Sequence, residues 1–311
     1  MLIIFESILP IFLLVLLGVA LKRSPLINGS FWDGLEQCGY YVLFPALLFH
    51  TLATADFASL ETGAIGVTAV VVVVLVSALV LSLWPLLRRI GVTPSAYSSV
   101  FQTATRWNAF IALAIAGKTY GDLGLTVVAL VMAVVIVPIN LINVAVLLSF
   151  SGTRTSRGAF VLRIVTNPLI ISSLLGVIVN RLRVPIYEPL MTSVDLVGRA
   201  ALSLGLIAVG AGLRISDALK PRPLVLFSTA IKLVFFPLLM MAAALIAGIT
   251  GPAVALLGLS AGVPTAMNGY LLAKKMGGDA ELYAATATVQ TVFSFVTIPL
   301  VLMVAAQFAA G

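Results

Sequence analysis

Residues Gln102–Gly117 read QTATRWNAFIALAIAG, and residues Gly262–Gly277 read GVPTAMNGYLLAKKMG. Both lie in long apolar runs, and both carry Thr-x-x-Asn followed by an apolar stretch that ends at Gly, with Lys118 just after the first Gly and Lys274-Lys275 just before the second. In lipid, irregular polar backbone survives only where protein buries it or where it lines a water-filled cavity. Two interrupted helices in corresponding halves of a chain are the pattern that marks a central mid-membrane site. Asn108 and Asn268 are therefore expected to mark such a site.

Composition sets the environment. The chain has 311 residues, 61% hydrophobic and 9% charged, with a mean hydropathy of +1.18. A soluble domain carries about 25% charge, so this is expected to be an integral membrane protein. The net charge of +7 comes from small Lys/Arg clusters between apolar runs, which argues against nucleic acid as a partner. Cys38 is the single cysteine, so no internal disulfide is available and no Cys/His set has metal spacing. The run Ile8–Leu21 ends at Lys22-Arg23 with no small-residue cleavage site, so the first segment is expected to stay.

A spanning helix needs roughly 20 mostly apolar residues. Ten such helices are expected, at about 4–21, 31–53, 62–87, 95–117, 122–149, 159–180, 187–213, 221–249, 252–276 and 280–308. The Val-rich Val70–Val74 is short enough for a strand, but the length of its segment argues for helix. Lys and Arg concentrate in the odd-numbered loops, twelve against three in the even ones. The positive-inside rule then places the odd loops in the cytoplasm and both termini outside.

The halves repeat. LPIFLLVLLGVALKR (Leu9–Arg23) aligns with NPLIISSLLGVIVNR (Asn167–Arg181), matching Pro10 with Pro168 and Gly18 with Gly176. Gly39/Gly198, Asn108/Asn268, Gly121-Asp122/Gly278-Asp279 and Pro138/Pro299 follow at nearly the same spacing. Five helices per half is odd, so the second half enters from the opposite side. The expected fold class is an all-α integral membrane protein: ten transmembrane helices as a 5+5 inverted repeat, with helices four and nine broken and crossing. The expected units are 1–150, a cytoplasmic linker 151–158, and 159–311.

The polar residues at depth are the candidates. Gln102, Thr105, Arg106 and Asn108 in helix four, with Pro264, Thr265 and Asn268 in helix nine, are expected to line the substrate site, and Asn140 in helix five is expected to join them. Mid-helix Pro264 removes one backbone bond, and exposed half-helix ends suit an ion or a carboxylate. A charge at the bilayer centre costs on the order of 3 kcal/mol, so Arg106 is expected to face protein or water. It either anchors an anion through its guanidinium fork or ties down neighbouring carbonyls. Lys232, deep in helix eight, reads as a snorkelling or water-facing lysine or as an ion-coupling group. Asp195 and Arg199, four apart on helix seven, read as a neutralised pair, with Asp195 as a proton-coupling group in the alternative. His50 reads as an interfacial residue or a pH-responsive one. Asn143 and Asn140 either line the cavity or pin helix five to helix four. No nucleotide loop, hydrolase motif or cofactor-attachment site is present, so no cofactor is expected beyond a coupling H+ or Na+, and an enzyme is not expected.

The chain resembles the auxin efflux carrier family, and more closely its short bacterial members, which include malonate and other organic-acid permeases. The resemblance rests on ILPIFLLVLLGVALKR, YYVLFPALLFHTLA, RWNAFIALAIAGKTYG, TNPLIISSLLGVIVN and GVPTAMNGYLLAKKMGGDAEL, in that order across nearly the whole chain. It implies a five-plus-five fold related to bile-acid symporters and sodium/proton antiporters. In that fold helices 1, 2, 6 and 7 form a scaffold, while helices 3–5 and 8–10 move as an elevator. It also implies dimers through the scaffold, with the crossover asparagine at Asn108 and the crossover proline at Pro264. Plant members carry a proline at the helix-four crossing, where this chain has none between Pro94 and Pro138, and a long cytoplasmic loop in place of Ser151–Gly158. These departures point away from auxin. The expected function is secondary transport of a small organic anion across the plasma membrane. A cation antiporter using Asp195, or a non-transporting receptor or scaffold, stands as the alternative.

Overall fold

A computed structural model describes residues 2–25, 27–55, 57, 62–151, 162, 166–213, 222–267 and 269–309. Beyond Ser151, the linker expected at 151–158 lies outside the described residues, and so do Asn268, Arg154, Arg157, Arg163, Arg214 and Lys220.

The regular elements are helices, with no strand among the described residues. α1 is Leu2–Arg23, and α2 (Gly29–Cys38) runs through a π turn (Gly39–Leu43) into α3 (Phe44–Thr54). α4 (Thr62–Ser82), α5 (Trp84–Arg89), α6 (Pro94–Thr105) and α7 (Ala109–Ser151) complete the first half. The second half holds α8 (Pro168–Leu182), α9 (Glu188–Ala211) and α10 (Pro223–Ala230), which passes through a π turn (Ile231–Phe235) into α11 (Phe236–Ile246). α12 (Pro252–Gly262), α13 (Gly269–Lys275) and α14 (Ala280–Ala309) close the chain. Among the described residues, five stretches are long and apolar enough to cross a membrane: Thr62–Arg89, Pro94–Phe150, Glu188–Ala211, Pro223–Ile246 and Ala280–Phe308. This is an all-helical, multi-pass membrane protein.

Local chemistry explains the boundaries. Valines 70–74 lie inside α4, because in lipid a helix satisfies every backbone group within its own segment. Val72, Val73 and Val76 face the interior while Val67, Val71 and Val74 stay exposed. α6 starts at Pro94 with Thr93 Oγ1 accepting from the Ala96 N–H, and α8 starts at Pro168 with Asn167 Oδ1 accepting from the Leu169 N–H. Both use a side-chain cap followed by a proline that has no N–H to leave unpaired. Within the span 95–117 expected for helix four, α6 ends at Thr105 and α7 begins at Ala109, although no proline lies between them. Gly121, with φ 58 and ψ −141, then kinks α7 sharply.

Both π turns precede a Phe-Pro pair, Phe44-Pro45 and Phe236-Pro237. The proline offers no N–H and its ring would strike the carbonyl four residues back. One extra residue in the turn relieves this, and the Phe44 and Phe236 N–H groups reach five residues back, to Gly39 and Ile231.

Two packing groups result. In one, α1 lies on α9, and α3 lies on α8 and α9. In the other, α12 packs on α7, α11 and α14, while α6 packs on α7, α10 and α14. Small residues set the first group's close approaches. A Cβ on Gly18 would run into the Ile207 carbonyl of α9, and one on Gly176 would stand 2.8 Å from the Phe49 carbonyl of α3. The two glycines that align in the sequence repeat therefore do the same job at two helix crossings.

Candidate functional site

The interruptions that follow α6 and α12 meet each other. Asn108 is the cap of α7: its Oδ1 accepts from the N–H groups of Phe110 (3.1 Å) and Ile111 (3.3 Å). A capping residue's own N–H has no partner within its helix, and that of Asn108 donates to the Pro264 carbonyl at 2.8 Å. Across the gap after α12, Pro264 has no N–H, and the Thr265 N–H donates to Gln290 Oε1 at 2.8 Å. Gln290 Nε2 in turn donates to the Thr103 carbonyl in the last turn of α6 at 3.0 Å. One side chain of α14 thus ties together both interrupted segments.

Further polar groups complete the crossing. Tyr283 Oη donates to the Ala266 carbonyl at 2.6 Å and lies 3.0 Å from Thr265 Oγ1. Its ring lies where a Cβ on residue 269 would fall, so Gly269 starts α13 there. Thr105 Oγ1 divides its proton between the Phe101 carbonyl and Asn143 Oδ1, which pins α7 to α6. Asn143 thus takes the pinning role that was one of its two expected readings, whereas Gln290 and Tyr283 were not among the expected site residues. Their signal in the sequence is weak, since single polar residues in apolar helices look alike until the crossing partners are known.

A cavity of about 740 Å³ opens beside the crossing, with Arg106, Asn108 and Asn140 on its wall. It reaches Asp33, Glu36 and Gln37 of α2, all exposed. α2, α8 and α9 line one side, and α7 with residues 266, 267 and 272 lines another. Arg106 is 8% exposed, its Nε has no protein partner, and no carboxylate lies within 4 Å of it among the described residues. Asn140, on the cavity lining, donates its Nδ2 proton to the Ile136 carbonyl at 2.9 Å. A guanidinium beside the N-terminus of α7 makes this wall electropositive.

The other expected residues are placed elsewhere. Pro264 and Thr265 are at the crossing but not on the cavity wall, and Thr105 faces a second, smaller space. Gln102 is fully buried, and neither polar atom of its side chain has a partner among the described residues. Lys232 does not snorkel to water as one reading of the sequence expected. It is 0% exposed, because the π turn carries it inward and the freed Ala261 carbonyl accepts its proton at 2.8 Å. Asp195 is away from the cavity, 2.7 Å from Arg199 Nε and 3.6 Å from His50 Nδ1. Asn268, expected at the centre, lies outside the described residues.

Comparison with known proteins fits this geometry. Residues 149–302 match the family described as "Membrane transport protein". A protein of Rhizobium meliloti (strain 1021), named "Putative malonate transporter", is 25% identical over 296 residues, which span 94% of this chain and 92% of its own. An all-helical membrane chain with a polar crossing at the edge of a large cavity is an architecture that suits a transporter, and residues 149–302 of this chain carry the pattern of the membrane transport protein family.

Proposed function

We propose that the protein is a secondary transporter that carries a small organic anion, a mono- or dicarboxylate, across the plasma membrane by alternating access. The observation that carries this reading is Arg106: a nearly buried cation with no carboxylate partner among the described residues, on a cavity wall beside the capped start of α7. A buried charge demands a partner, and a carboxylate cargo would supply it bidentately. The name of the Rhizobium relative, "Putative malonate transporter", agrees with a carboxylate.

In this reading the ten helices form a 5+5 inverted repeat, with helices four and nine crossing as broken helices. Gly18 and Gly176, doing one job in two places, support the repeat. The α1, α2–α3, α8 and α9 group serves as scaffold and dimerises, while the group built on α6, α7, α12 and α14 moves against it with the cargo. The cavity mouth at Asp33 and Glu36 adjoins the Lys22-Arg23 end of α1, the cytoplasmic side by the charge rule. The conformation is then inward-facing, with both termini outside.

A thermal-shift screen of detergent-purified protein against malonate, malate, succinate, lactate and indole acetate tests this. A ligand that binds only the folded state raises stability by mass action. A selective shift that is lost in Arg106→Gln supports the reading, and no shift with any acid would sink it. The antiporter alternative required Asp195 at the site. Its tie to Arg199 and His50, away from the cavity, weighs against that role, and Asp195→Asn is expected to leave carboxylate uptake unchanged.

A further inference from the structure

Lys232 stands in the second π turn with its whole side chain buried. Its Nζ donates to the Ala261 carbonyl at 2.8 Å and lies 4.5 Å from the centroid of the Phe236 ring. That carbonyl belongs to the last turn of α12. Its ordinary partner four residues on, the Thr265 N–H, is bonded to Gln290 instead. Pro264 likewise has no N–H to give the Ser260 carbonyl. The C-terminal end of α12, a site of partial negative charge, is therefore met by a side-chain ammonium.

The surroundings hold no competing anion. No Asp or Glu lies within 4 Å of Lys232 among the described residues. α4, α6, α10, α11 and α12 contain no acid at all, and the acids of α7 and α14, Asp122 and Glu281, are exposed. Tyr283 of α14 and Arg106 are the other ionisable groups at the crossing. Thr105, Trp107 and Ser260 help enclose a space of only about 10 Å³ beside the ammonium, barely room for one water. Two helix C-termini thus converge at the crossing: Arg106 is the residue that follows α6, and the Lys232 ammonium caps α12.

We propose that Lys232 is the transporter's resident cation, standing in for a bound metal ion at the end of α12, so that transport proceeds without sodium. This rests on the transport reading above and assigns the charge that holds its crossing together.

The test uses purified full-length protein, by thermal shift in detergent and by carboxylate uptake in proteoliposomes. Wild type is expected to show equal stability and equal uptake in sodium, potassium and choline at matched ionic strength. Lys232→Met, close in shape but neutral, is expected to fold and to lose uptake by about tenfold or more, the scale of losing a buried charge interaction. Lys232→Ala is expected to gain stability and recover uptake with propylammonium, which replaces the deleted atoms, but not with 1-propanol. Sodium-selective stabilisation or uptake in wild type overturns the proposal. So does Lys232→Met uptake at the wild-type rate, or a folded Lys232→Ala protein indifferent to propylammonium. If propylammonium stabilises Lys232→Ala while wild type moves no carboxylate, the transport reading alone has failed.

Discussion

The backbone N–H of Asn108 donates to the carbonyl of Pro264 at 2.8 Å, joining two interruptions that lie in opposite halves of the chain. Neither segment could hold its gap alone. The carbonyl freed by the second gap satisfies the N–H orphaned by the first, so the polar cost of each interruption offsets the other.

Arg106→Gln is expected to fold normally, since no carboxylate in the described protein depends on the guanidinium. Carboxylate affinity should fall on the order of 10- to 100-fold, matching loss of a charged hydrogen bond of about 1.5–3 kcal/mol. Ligand-dependent thermal shifts would measure this, and an unaltered affinity would leave Arg106 a structural residue.

Asn108 separates two roles by substitution. Asn108→Ala removes the cap of α7 and should cost about 1 kcal/mol of stability together with uptake. Asn108→Asp keeps an equally good cap but sets a carboxylate beside Arg106, so it should retain stability and still lose uptake. An aspartate variant that transports normally would show that capping is the residue's whole contribution.

Gln290→Leu should lower the thermal midpoint, because it strands the buried Thr265 N–H and Thr103 carbonyl at about 1–3 kcal/mol each. Gln290→Glu keeps the acceptor for Thr265 but, when ionised, loses the donor to Thr103, so thermal unfolding should also reveal a loss. Wild-type stability in both variants would mean that the crossing is held without this bridge.

Gly18→Val should yield little folded protein by fluorescence-detected size exclusion, since its side chain would occupy the Ile207 carbonyl. Gly176→Ala should be milder, because its Cβ meets the Phe49 carbonyl at 2.8 Å and the Leu52 Cβ at 3.0 Å, distances that small shifts of α8 can relieve. Equal yields from both would contradict the close helix approach.

The sequence by itself determined the features that are local or periodic. Apolar segment lengths mark the helices, Lys and Arg clusters propose an orientation, and a polar Thr-x-x-Asn in an apolar run points to a gap even where helix four has no proline. Asp195 and Arg199 were legible as partners because four residues make one helical turn. The tertiary structure alone decided what each gap is joined to. Gln290 and Tyr283 acquire their roles because α14 passes the end of α12, a distance in space that no spacing along the chain encodes. Lys232 turned inward for a similar reason: the carbonyl it caps became free only when the Thr265 N–H was drawn to Gln290. His50 reached Asp195 because α3 and α9 lie side by side, held close by Gly198 against Leu47. Local sequence fixes where a helix runs and where it is costly to bury, whereas the partner that relieves the cost is chosen by the packing of distant segments.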